Sequence, residues 1–265
     1  MDAKRDVAPW VERFARIGYV AKAVLYATVG ALAAGAAFGH GETIDTRGAM
    51  TKLLGAPFGP LVLGVIAAGL FGYAAWRCTS AIVDAEGRGN DLKGLALRAS
   101  FLVRGVAHAV LGYSAVRLAF NASAVQADRG EQATGFALRV PGGVWLVWAA
   151  ALGIGGFGLY QVYRAVVAKL SKQLRQRKMD AEVGGWVVWV SRFGIAARGL
   201  VFLAVAWAVG KAAAEHNAAN AGGIDDALDR LAQVGPLPFA AIGGGLIAYG
   251  VYELMNARYR RIEAA

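Results

Sequence analysis

The chain runs to 265 residues, of which 57% are hydrophobic and only 17% charged, yet its formal net charge is +10. With a mean hydropathy of +0.45, 36 glycines and only 6 prolines, it excludes both a soluble core wrapped in polar surface and a disordered basic tail. Cys78 is the single cysteine, which excludes a disulfide scaffold.

Six apolar stretches, at 17–38, 60–83, 101–120, 144–168, 189–212 and 236–256, can each cross roughly 30 Å of hydrocarbon at about 20 residues per helix. The arm 1–16 is basic. Small residues at 33–37 imitate a signal-peptide cleavage site, but Asp2, Asp6 and Glu12 in the arm and Lys22 within the apolar run predict that this span is retained. Met50, Leu53 and Leu54 hint at a short amphipathic segment in the first connection. The second span carries Gly64, Ala68 and Gly72 at four-residue spacing and ends near Cys78, read as a packing residue. The third holds Arg104 and His108; the fourth repeats the small-residue stripe as Ala151 and Gly155. A basic run from Lys169 to Lys178 precedes the fifth span, which holds Arg198. Ile224, Leu228, Leu231 and Val234 then have helical spacing, predicting a short interfacial helix. The sixth span has Ala240, Gly244 and Ala248, and closes on Glu253 before the tail 257–265. Trp10, Trp76, Trp145, Trp148, Trp186 and Trp189 fall near span ends and read as interfacial anchors.

Sixteen Lys and Arg lie in the arm, the tail and the even-numbered connections, against five in the odd-numbered ones. Because basic loops stay cytoplasmic, both termini are expected there, in a multi-pass protein of the inner (plasma) membrane. Most of the charge is thereby placed on one membrane face and needs no nucleic acid to explain it.

Self-comparison reveals a repeat. Arg16-Ile17-Gly18-Tyr19-Val20-Ala21-Lys22 in the first span corresponds to Arg98-Ala99-Ser100-Phe101-Leu102-Val103-Arg104 in the third and to Arg192-Phe193-Gly194-Ile195-Ala196-Ala197-Arg198 in the fifth. The even spans repeat as well: Gly69 to Arg77, Gly156 to Arg164 and Gly245 to Glu253 each read Gly-x-x-x-Tyr-x-x-aromatic before the final residue. The predicted fold is all-α: a six-helix membrane bundle of three tandem hairpins in parallel orientation, divided as 17–83, 84–168 and 169–256. The small-residue stripes could pack the even helices together about a pseudo-threefold axis, or each even helix on its own odd partner.

These motifs resemble the bacterial membrane family catalogued as domain of unknown function 1206, which has three two-helix copies per chain. The resemblance implies an integral membrane protein of this layout and transfers no catalytic residue. Glu253 departs from the basic residue at Arg77 and Arg164.

Lys22, Arg104 and Arg198 are the candidate site. Each stands six residues beyond a boundary arginine, about 9 Å along a helix, where a cation is costly unless paired or hydrated. Three readings follow: a site for a small anion or an anionic lipid headgroup, snorkelling toward the headgroups, and an ion pair with Glu253. His108, one turn beyond Arg104, reads as packing, since Tyr26 and Phe202 hold the equivalent positions. His40 and His216, with Glu42 and Glu215, read as loop residues before a metal site, and no metal or cofactor is expected. No His-Glu-x-x-His, phosphate-binding glycine loop or nucleophile elbow occurs, so no enzyme is predicted. The expected function is a non-catalytic bundle binding anionic lipid headgroups or a membrane partner, with a transporter or channel for a small anion as the alternative.

Overall fold

The computed structural model describes residues 9–40, 45–84, 87–120, 129–167, 185–221 and 223–260. Ala, Leu, Val and Gly runs with no central proline give six long helices, all apolar and long enough to cross a membrane. They are α1 (Pro9–Ala37), α3 (Gly59–Ile82), α4 (Leu92–Phe120), α6 (Gly143–Val167), α7 (Trp186–Glu215) and α9 (Pro236–Tyr259). Among the described residues three short helices, α2 (Thr46–Leu54), α5 (Arg129–Arg139) and α8 (Ile224–Ala232), each precede an even span. The protein is an all-α integral membrane bundle.

Local chemistry sets the helix ends. The Asp45 carboxylate caps α2, accepting from the backbone N–H groups of Arg47 at 2.9 Å and Gly48 at 2.7 Å. Pro60 and Pro236 occupy first-turn positions, where a missing N–H removes no helical bond. The turn into α3 folds tightly over α2: a Cβ on Gly59 would lie 1.9 Å from the Leu54 carbonyl oxygen. Gly143 stands in the same relation to Ala137 at the end of α5, so the first two repeats share this tight turn, while all three share the outer helix. α5 is absent from the sequence reading because only Phe136 and Leu138 stand out among its polar residues and two glycines. α4 begins at Leu92, nine residues before the expected 101: Lys93 and Arg98 end the apolar window but not the helix.

The long helices form an open ring in chain order, with α4 and α6 at its unpaired ends among the described residues. α1 packs against α3 and α9, α3 against α4, and α7 against α6 and α9. The small-residue stripes thus do not bring the even helices together at an axis. Gly64 and Gly244, taken from the sequence as seam residues, have nothing within 4 Å of a Cβ built on them. Close approaches occur elsewhere: a Cβ on Gly18 would strike the Gly69 carbonyl oxygen at 2.4 Å, and one on Gly194 the Tyr249 backbone nitrogen at 2.2 Å. These clasps join the two helices of the first and third hairpins. Trp145, Trp186 and Trp189 are exposed on the bundle surface, but Trp76 is buried beside Tyr19 and Tyr73 and is a core residue, not an anchor. Its position near the span end conceals that it faces inward. Trp10's side chain and the basic run 169–178 lie outside the described residues.

Candidate functional site

The inner walls of all six long helices meet in one polar cavity, in the half of the bundle that carries the chain termini. Its walls include Lys22 from α1, Arg104 and His108 from α4, Gln161 and Arg164 from α6, Arg198 from α7, and Glu253 and Asn256 from α9. The space open to the centre of a water molecule is about 40 Å³, room for roughly three waters.

The three cations taken from the sequence border this one cavity but are held differently. Lys22 Nζ donates to Glu253 Oε1 at 2.7 Å, and both side chains are buried. The ammonium also sits 4.5 Å from the Tyr73 ring centroid and 5.5 Å from that of Tyr19. This compensates the Lys22 charge through a carboxylate and two ring faces. Arg198 is buried without an ion pair among the described residues: its Nε donates to the Tyr26 hydroxyl at 2.8 Å. Its guanidinium carbon lies between 4.6 and 5.4 Å from the ring centroids of Phe202, Tyr249, Tyr26 and Phe157. That aromatic cage holds the cation in place while leaving N–H donors available. Arg104 is half-buried; its Nη2 donates to Ser100 Oγ at 2.8 Å and its Nε to the Ser100 carbonyl at 3.1 Å. The Phe157 ring touches Arg104 as well as Arg198, so the two guanidinium groups border the same space.

His108 Nδ1 lies 2.7 Å from the Arg104 carbonyl, which can only accept, so Nδ1 carries the proton; its ring packs on Tyr73 at 4.6 Å. Arg164, absent from the sequence selection, donates to the Tyr252 hydroxyl and reaches the cavity. Two buried atoms on the wall, the Tyr19 hydroxyl and Asn256 Oδ1, have no hydrogen-bond partner among the described residues. Burying such groups is costly, and both line the cavity. Among the described residues no cluster of three or more His, Cys, Asp or Glu forms a metal site. Glu42, weighed with His40 and His216, lies outside them.

A family model described as Domain of Unknown Function (DUF1206) matches the chain three times, at residues 17–84, 99–168 and 193–260. The chain belongs to this family. A stretch of 117 residues, 44% of the chain, is 37% identical to "Uncharacterized protein YxxB" of Bacillus subtilis (strain 168) and covers 42% of that protein. No solved structure matches.

The DUF1206 repeat explains the charge distribution. In two of its even helices the residue after the repeated aromatic faces the odd helix of a neighbouring repeat. At α9 and α1 this pair is Glu253 and Lys22. At α3 and α4 it is Arg77 and Arg104, whose guanidinium carbons lie 5.1 and 5.4 Å from the Phe101 centroid. The repeat equivalence makes Arg164 and Arg198 the third pair, and both line the cavity. The seam of α9 and α1 therefore sets acid against base, while at α3 and α4 two basic side chains share one ring. Arg164 was legible as the counterpart of Arg77, and Gln161 as the polar departure from Ala74 and Gly250.

Proposed function

We propose that this chain is a non-catalytic multi-pass protein of a bacterial inner membrane, with both termini cytoplasmic, that binds the phosphate-bearing headgroup of an anionic phospholipid in its cavity. The observation that carries the reading is the lining: Lys22, Arg104, Arg164 and Arg198 surround Glu253, the one carboxylate among its described residues, which is already engaged by Lys22. Four cations on one wall inside the membrane favour an anion as the ligand. Arginine suits the role because its planar fork matches phosphate oxygens. Room for roughly three waters accommodates a phosphate-sized group. Tyr19 and Asn256 add polar atoms on the wall.

Transport of a small anion needs a route to the other end of the bundle. There Val29, Val201, Phe239, Ile242 and Leu246 are buried in one apolar cluster, which favours binding over passage. The test is a lipid inventory by mass spectrometry after detergent extraction. Wild type is expected to retain anionic phospholipid, and an Arg104→Gln/Arg198→Gln variant to lose it, with Lys22 left in its ion pair. Equal retention overturns the reading.

A further inference from the structure

We infer that the seam between α4 and α6 is a lateral portal through which a phospholipid seats its headgroup in the cavity while its acyl chains stay outside against these two helices. The inference rests on the headgroup reading and adds where the lipid enters and what it touches.

The repeat carries the argument. In the first hairpin, Gly18 and Gly69 bring two backbones into contact, and in the third, Gly194 meets α9 while a Cβ on Gly245 would lie 2.2 Å from the Ala197 side chain. The equivalent residues of the middle hairpin are Ser100 and Gly156. Ser100 turns its hydroxyl inward along its own helix, donating to the Leu97 carbonyl at 2.6 Å and accepting from Arg104 at 2.8 Å. Gly156 has nothing within 4 Å of a Cβ built on it. The first and third hairpins are clasped, and among the described residues the middle one is not.

Burial agrees independently. The apolar windows of α4 and α6 are 17% and 22% buried, against 39–50% for the other four spans. Val103, Val106, Leu159 and Tyr160 are exposed on these two helices. The same pair carries Arg104, Gln161 and Arg164 to the cavity, so the two loosely packed helices bear both an exposed apolar surface and the cations. A soluble anion has no use for an opening onto hydrocarbon. A molecule with a phosphate-sized anionic head and apolar tails matches both the cations inside and the apolar surface outside.

The test plugs the seam. Gly156→Trp fills open space and meets no backbone, and Gly64→Trp, in equally open space on α3, is the control. Binding of phosphatidylglycerol in neutral micelles and of glycerophosphate, the head without its tails, is measured for wild type and both variants. The portal predicts that Gly156→Trp weakens phosphatidylglycerol binding at least about tenfold, roughly 1.4 kcal/mol, and leaves glycerophosphate binding unchanged. Gly64→Trp should alter neither. Unchanged phosphatidylglycerol binding in Gly156→Trp overturns the portal and leaves the headgroup site standing. Loss of both ligands in that variant also overturns it, by making Gly156 a support of the cavity. Wild type binding glycerophosphate but no lipid refutes the portal as well, and wild type binding neither refutes the headgroup site itself.

Discussion

Replacing Glu253 by glutamine strands Lys22 with its charge inside the membrane half of the bundle. The two side chains are 6% and 2% exposed and meet at 2.7 Å, with nothing else carrying negative charge among the described residues of the cavity wall. Removing one partner of such a pair costs about 3–5 kcal/mol, because the survivor keeps its desolvation penalty without its counter-charge. Removing both is far cheaper: Lys22→Met keeps an unbranched apolar stem between the Tyr19 and Tyr73 rings. The Lys22→Met/Glu253→Gln double variant should therefore recover at least about 2 kcal/mol of the single variant's loss. Equilibrium unfolding in mixed micelles, run as a double-mutant cycle, measures this directly. Strictly additive effects, or a Glu253→Gln variant within about 0.5 kcal/mol of wild type, would refute a buried, dehydrated pair.

Gly194→Leu should unfold the third hairpin's clasp and cost more than the about 1–3 kcal/mol of ordinary overpacking, because the obstacle 2.2 Å away is the Tyr249 backbone. Gly244→Leu, in open space, should be tolerated, and equal losses at both positions would contradict the ring order. Tyr26→Phe removes the hydroxyl that accepts from Arg198 and keeps the ring; a loss of about 1.5–3 kcal/mol is expected, read by the same unfolding assay, and no loss would mean the cage alone holds the cation. Asp84, beyond the end of α3, accepts from the backbone N–H groups of Arg88 and Gly89 at 2.7 Å each, which holds its carboxyl below the usual carboxylate range. Its contribution is present above the unfolded pKa and disappears as pH falls through the lowered folded value. The Arg88 and Gly89 amide resonances should follow that titration in wild type and not in Asp84→Asn; a midpoint at or above that of an unstructured aspartate would be the contrary result.

The fold was largely legible because lipid removes choices. Each span must satisfy its own backbone, so apolar length alone located the six helices, and the repeated Arg-x-Gly-Tyr-x-x-Lys start related them. What the sequence concealed depends on which face of each helix turns inward. Periodicity is weak in a helix that is apolar all round, so Gly64 and Gly69 look alike in the sequence although one meets open space and the other a backbone. Trp76 was misassigned for the same reason. Lys22, Arg104 and Arg198 could be singled out because three cations at one repeated depth stand out against an apolar background. Their unequal surroundings could not, since the ring order that sets Glu253 against Lys22 is a tertiary property. The open middle hairpin was written in one letter, Ser100 in place of Gly18 and Gly194, but a serine in a helix signals nothing until its neighbour fails to approach.

The most direct measurement is a high-resolution structure of the protein in a phospholipid bilayer containing phosphatidylglycerol. The account predicts a phosphate group in the cavity within hydrogen-bonding reach of Arg104 and Arg198, with acyl density leaving between α4 and α6. An acidic side chain of the protein itself seated between those arginines, with no lipid phosphate there, would contradict it.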